Sequence, residues 1–236
     1  MYGRRWEQLG AATGIVFVVL IVIGFVVAPE PPQVSDTPAK VAAYFSGHQN
    51  AIQATNFLTM LAAFFFVWFL GSLRSLLRLA EGGTGRLSAI AFGGGLVAIA
   101  FAGLAAVAAT VGAYRVGRNP DVLQMLNDVS MFAFVVIGFA AAAYLEAASV
   151  VMIRSRLLPS GLGYAGALFA LIQLLSLITL FGATGGAFNP RDGAVGLIAF
   201  LTFLAWTLAV SALLVIQAGR TRVEQMPPPA EAAPPR

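Results

Sequence analysis

Six apolar stretches, each long enough to cross a bilayer, decide most of what this chain can become. They run over residues of about 9–28, 55–77, 87–111, 129–153, 162–183 and 194–216. A hydrocarbon core about 30 Å thick takes about 20 residues of helix. Backbone groups in lipid must find partners within their own segment, so each stretch is read as a helix. The expectation is an all-α fold: a polytopic transmembrane bundle of six helices over residues 1–219, a short amphipathic helix on its outer surface, and a disordered Pro/Ala-rich tail over residues 220–236.

Composition supports the lipid reading and narrows the chemistry. Of 236 residues, 59% are hydrophobic and 10% charged, against about 25% charged in a soluble protein. There is no cysteine and one histidine, His48. That excludes thiolate chemistry, disulfides and a cysteine metal site, and leaves no multi-histidine metal centre. A pI near 10.0 would point to nucleic acid in a soluble domain. Here the positive charge is scattered through short loops, so no nucleic-acid partner and no cofactor are expected. Lys40 is the sole lysine, and with the abundance of Arg, Ala and Gly this composition suggests a high-GC bacterium.

Punctuation sets the helix ends. Arg4 and Arg5 precede the first apolar run, which exceeds a signal-peptide core and is followed by Pro29, so it is read as retained. Pro29, Pro31 and Pro32 stop it. Thr37-Pro38, a cap followed by proline at the first helical position, opens the surface helix, where Val41, Tyr44, Phe45 and His48 share a face. Asn119-Pro120 and Asn189-Pro190 repeat the signal before the fourth and sixth helices. An unbroken helix from Pro120 to Ile153 would reach about 50 Å, so it must protrude or break near Asn127 and Asp128.

Charge asymmetry gives an orientation. Arg4, Arg5, Arg74, Arg78, Arg86, Arg154, Arg156 and the tail arginines lie at one end, and only Lys40, Arg115, Arg118 and Arg191 at the other. The positive-inside bias therefore puts both termini in the cytoplasm of a bacterial plasma membrane.

Two features carry candidate packing and chemistry. In the third helix Gly94, Ala98, Ala102, Ala106 and Thr110 recur at intervals of four, a row suited to close approach by the fourth helix. In the fourth, Gly138, Ala142 and Glu146 follow the same interval, so Glu146 is expected on a small-residue face turned into protein. It lies about 12 Å before Arg154, and a charged acid inside a membrane helix costs about 2.5 to 3.5 kcal/mol on insertion scales. It is therefore expected to be neutral or paired, with Gln173 as first partner and Ser149 and Tyr144 as further donors. Such an acid serves either as a proton or cation relay or as a hydrogen-bonded pin between two helices. On the outer side, His48 is placed to pair with Asp121, Asp128 or Asp192 and report pH, or else to be structural. Trp206 reads as packing. No Gly-x-Ser-x-Gly or His-Glu-x-x-His motif is present, so no enzyme and no metal site are expected.

The segments Tyr44-Phe45-x-x-His48, Leu73-Arg74 and Leu77-Arg78-x-x-Glu81-Gly82 give the chain a resemblance to six-helix membrane proteins of high-GC bacteria grouped as domains of unknown function. The resemblance implies the six-helix fold and brings no activity. The expectation from the residues is a non-enzymatic accessory or scaffold subunit of an envelope complex, bound to a membrane-protein partner or to itself. A proton- or cation-linked transporter using Glu146 and an envelope pH or stress sensor are the alternatives.

Overall fold

The computed structural model describes residues 2–181 and 186–223, with side chains over 8–181 and 186–217. Its elements are α1 (Tyr2–Val27), α2 (Pro38–Gly47), α3 (Gln49–Glu81), α4 (Arg86–Tyr114), α5 (Pro120–Ser155), α6 (Ser160–Ser176), a 3-10 turn (Leu177–Phe181) and α7 (Ala194–Val223). All but α2 belong to six helical spans long and apolar enough to cross a membrane, the fifth of them made of α6 and the 3-10 turn together. Among the described residues there is no strand. We call the end where α1 begins and α7 finishes proximal, and the end carrying α2 distal.

The six spans close into a ring. α1 packs on α3 and α7, α3 on α4, α4 on α5, α5 on α6, and α6 on α7, while α5 also touches α3 and α7 across the middle. The α4–α5 seam is the most extensive of these contacts. It depends on Gly94: a Cβ added there would lie 2.8 Å from both the Ala140 carbonyl oxygen and the Tyr144 nitrogen. Gly138 does the same for α5 and α6, where an added Cβ would lie 2.8 Å from the Gln173 carbonyl oxygen and the Ser176 hydroxyl. Between lipid and protein there is little hydrophobic gain to be had, so such backbone approach and interhelical hydrogen bonds hold the ring. Asn56 Nδ2 donates to the Ala106 carbonyl (3.1 Å) and Thr110 Oγ1 (2.8 Å). Ser130 donates to the Ala105 carbonyl (2.9 Å), and Trp206 Nε1 to the Leu162 carbonyl (3.0 Å).

Element ends follow local chemistry. Glu81 reaches past a turn of glycines at positive φ, Gly82, Gly83 and Gly85, to accept hydrogen bonds from the Leu87 and Ser88 N–H groups at the start of α4. This puts an anion at a positive helix end. Thr37 and Asn119 cap α2 and α5 as expected. Asn189 does not open α7: its carboxamide oxygen accepts from the Arg191 and Asp192 N–H groups, forming a turn that ends before α7 begins at Ala194. α5 continues unbroken through Asn127 and Asp128 and, at about 54 Å, protrudes. α6 stops at Ser176, short of the expected 183, and continues as the 3-10 turn; residues 182 and 183 lie outside the described set. α7 carries helix to Val223, so the first residues of the expected disordered tail are helical. The rest of that tail, from residue 224, lies outside the described residues.

α2 lies on the distal end of the bundle. Val41 and Phe45 are buried with Ile52, Ala113 and Leu123, and the Phe45 ring fills the space a Cβ on Gly112 would take.

Candidate functional site

α5 carries the acids and hydroxyls singled out in the sequence, and its rotation assigns them to different surroundings. Each fourth residue of an α-helix advances 400°, so a row at intervals of four turns by about 40° per step. Gly138 and Ala142 are buried, and Glu146, two steps on, is exposed. This corrects the expectation that Glu146 faces into protein. Among the described residues it makes no hydrogen bond or ion pair. The row on α4 turns likewise: Gly94 faces α5, whereas Ala106 and Thr110 meet Asn56 of α3. Ala98 is buried and Ala102 only partly so.

The expected partners of Glu146 are elsewhere. Gln173 is 4% exposed and donates through Nε2 to the Ala199 carbonyl of α7 at 2.7 Å. It sits opposite Gly138, about 12 Å distal to Glu146. Tyr144 and Ser149 are fully buried, on the opposite side of α5 from Glu146 and on the flank facing α6 respectively. Ser149 abuts Gly166 of α6 and the Trp206 indole edge. The Tyr144 ring is wedged among Phe66, Phe203 and Trp206, with centroids 5.8, 5.9 and 5.5 Å away. Its hydroxyl is enclosed without a hydrogen-bond partner, as is that of Thr207. Groups enclosed in this way cost about 1–3 kcal/mol each. Trp206, expected to serve packing, also ties α7 to α6.

Register within the ring fixes the depth of Glu146. Leu70 of α3 contacts the position of Gly95 on α4, and Gly94 meets α5 between Ala140 and Tyr144. One turn further proximal, Arg74 and Glu146 come to a common level near Ile90 of α4. Arg74 places its guanidinium 5.2 Å above the Phe92 ring and makes no ion pair among the described residues. Distally on α5 the next acid is Asp128, about 27 Å away, with no charge over residues 129–145. That span is close to the thickness of a hydrocarbon core, so Asp128 and Glu146 frame the apolar part of α5 near its two edges.

The distal end gathers its own polar cluster, which sequence reading missed. Arg191, with a side chain 14% exposed, pairs with Glu30 and with Asp192, the latter at 3.1 Å. Gln33 Nε2 donates to Asp192 Oδ2 at 2.7 Å, and the Gln33 N–H to Asp36 Oδ2 at 2.8 Å. Asp36 in turn pairs with Lys40 at 2.7 Å and accepts from Gln124 of α5 through its carbonyl at 3.4 Å. The Lys40 ammonium and the Gln33 N–H hold the Asp36 carboxyl below its ordinary value. Burial pushes the Tyr44 phenol up to about 12, opposed by the nearby Arg191 charge. This clasp joins the α1–α2 loop, the turn before α7 and the distal part of α5.

His48 stands apart from it. The ring is exposed, with Nδ1 2.9 Å from the Tyr44 carbonyl, where an N–H at that atom donates. None of Asp121, Asp128 and Asp192 pairs with it. The chain leaves helical geometry at His48 (φ −128°, ψ 21°), so the helical spacing that aligned it with Val41 and Phe45 no longer applies. Asp121 and Asp128 instead border a shallow groove of about 390 Å³ along α5, floored by Met125, Val129 and Phe132. The Asp128 Oδ1 atom is enclosed without a hydrogen-bond partner.

No protein-family model matches the chain, and no curated protein or solved structure matches it.

Proposed function

We propose that this chain is a non-enzymatic accessory or scaffold subunit of a membrane complex in a bacterial envelope, its termini in the cytoplasm. The observation that carries the reading is Glu146: an acid on the exposed face of a membrane span, without a partner among the described residues. An ionisable group at the margin of the apolar span, turned away from its own bundle, is placed to meet a charged group of a neighbouring chain. The interior supports the same reading. Its polar side chains hold helix to helix, as Gln173, Asn56 and Trp206 do, and its middle is filled by aromatic rings. A relay through Glu146 would need that acid enclosed beside further polar groups, whereas Gln173 and Tyr144 lie at another depth or on another face.

The test is native stoichiometry. The protein, released gently from its own membrane and purified through a terminal tag, should bring a membrane partner in a fixed ratio near one to one, or further copies of itself. Recovery as a bare monomer that conducts protons or cations when reconstituted, with conduction abolished in Glu146→Gln, would replace this reading with transport.

A further inference from the structure

We propose that a second copy of this chain is the partner that docks on α4, with Arg74 of each copy meeting Glu146 of the other. The inference rests on the scaffold reading and names its partner.

α4 lies between α3 and α5 in the ring, and among the described residues its outward face is unpartnered. Gly93 is the clearest mark of this, since a Cβ added there would meet nothing within 4 Å. Ala89 and Ala100 flank it on the same exposed face, so a second backbone can come close. On the α3 flank stands Arg74, exposed and without an ion pair among the described residues, its guanidinium resting over Phe92. On the α5 flank stands Glu146, exposed and equally unpaired. The register set by Leu70 at Gly95, and by Ala140 and Tyr144 at Gly94, brings both charges to one depth.

Opposite charges at equal depth on opposite flanks of one helix are self-complementary. A two-fold axis along the membrane normal, passing beside α4, exchanges the flanks, so each copy's cation faces the other's anion and both contacts form at once. Such an isologous contact closes as a dimer. An axis beside α5 would instead bring the two Glu146 carboxylates together, and one beside α3 would bring the two Arg74 cations together. The same arrangement gives Glu146 the partner it lacks among the described residues.

The experiment co-expresses two differently tagged copies and measures how much of one is recovered with the other in mild detergent, with native mass to count subunits. Wild-type copies should co-purify as a dimer. Arg74→Glu alone or Glu146→Arg alone should lower recovery at least tenfold. Mixing the two single variants should restore it, since the two reversed charges then face each other at one contact and the two native charges face each other at the other. Gly93→Leu guards against misfolding: its side chain enters open space in the monomer, so the melting temperature should hold while pairing is lost. Wild-type copies that fail to pair, single reversals that pair as well as wild type, or a mixture no better than either variant alone would overturn the proposal. Wild-type monomer recovered with a different protein at fixed ratio would overturn it and leave the scaffold reading standing. Monomer recovered with nothing would end both.

Discussion

The α4–α5 seam and the distal clasp hold the same bundle by opposite means. At the seam, Gly94 lets the backbones of α4 and α5 meet, and among the described residues no ion pair joins the two helices. At the clasp, Arg191, Asp192, Gln33, Asp36 and Lys40 tie loops together through ion pairs and hydrogen bonds that water and salt can reach. The difference teaches that, within one copy and among the described residues, shape holds the bundle where the medium is apolar and ion pairs hold it where it is wet. Contacts of the first kind fail through volume, whereas those of the second fail through pH, ionic strength or loss of a partner.

The largest effect should come from adding volume at the seam. Gly94→Val places atoms against the backbone of α5, and overpacking of this kind should cost about 3 kcal/mol, read as a lower unfolding temperature in detergent. An unchanged transition would mean that α4 and α5 are not in backbone contact. Next comes Arg191→Ala at the clasp. It removes two ion pairs near the surface and should cost about 1 kcal/mol, with faster amide exchange in residues 28–37 and 186–193. High salt should shrink this loss and leave that of Gly94→Val alone.

A smaller effect separates the two regions by pH. The folded-state value of Asp36 is depressed, so its contribution is fully present above the unfolded aspartate value of about 3.9 and is lost as pH falls through the folded value. Acid titration below about pH 4 should therefore loosen the clasp, seen by exchange in its loops, while the seam persists. Asp36→Asn should remove that dependence; if the acid response is the same in the variant, another group is responsible. The smallest effect should be Glu146→Gln in the monomer, within about 0.5 kcal/mol of wild type. A loss of several times that amount would mean that the carboxylate has a partner inside its own chain.

How far the site was legible can be seen on single residues. Glu146 was singled out as the acid within the apolar run of α5 and was placed on the wrong face. Intervals of four mark neighbouring residues well over one step, but a row carried over two steps has turned by about 80°, which is enough to pass from a helix seam to lipid. Gln173 was paired with it by counting from helix ends. That count cannot see how far α5 protrudes or that α6 ends at Ser176, and so it misjudged their relative depth. His48 was aligned by helical spacing that the chain abandons at that residue. Arg191 was read only as an outer charge, because its partners Glu30 and Asp192 come from loops far apart in sequence and no local pattern joins them.

From sequence alone came the six spans, the surface helix, its buried Val41 and Phe45, the caps at Thr37 and Asn119, and the small residues that admit close approach. Each of these follows from interactions within a few residues, namely hydrophobic length against bilayer thickness, local hydrogen bonding at helix ends and the size of a side chain. The ring order, the depth shared by Arg74 and Glu146, the burial of Tyr144 and Ser149, and the clasp were decided by tertiary structure. They depend on how each helix is rotated and slid against its neighbours, and in an apolar medium that choice is made by backbone fit along whole helices rather than by any residue read in isolation.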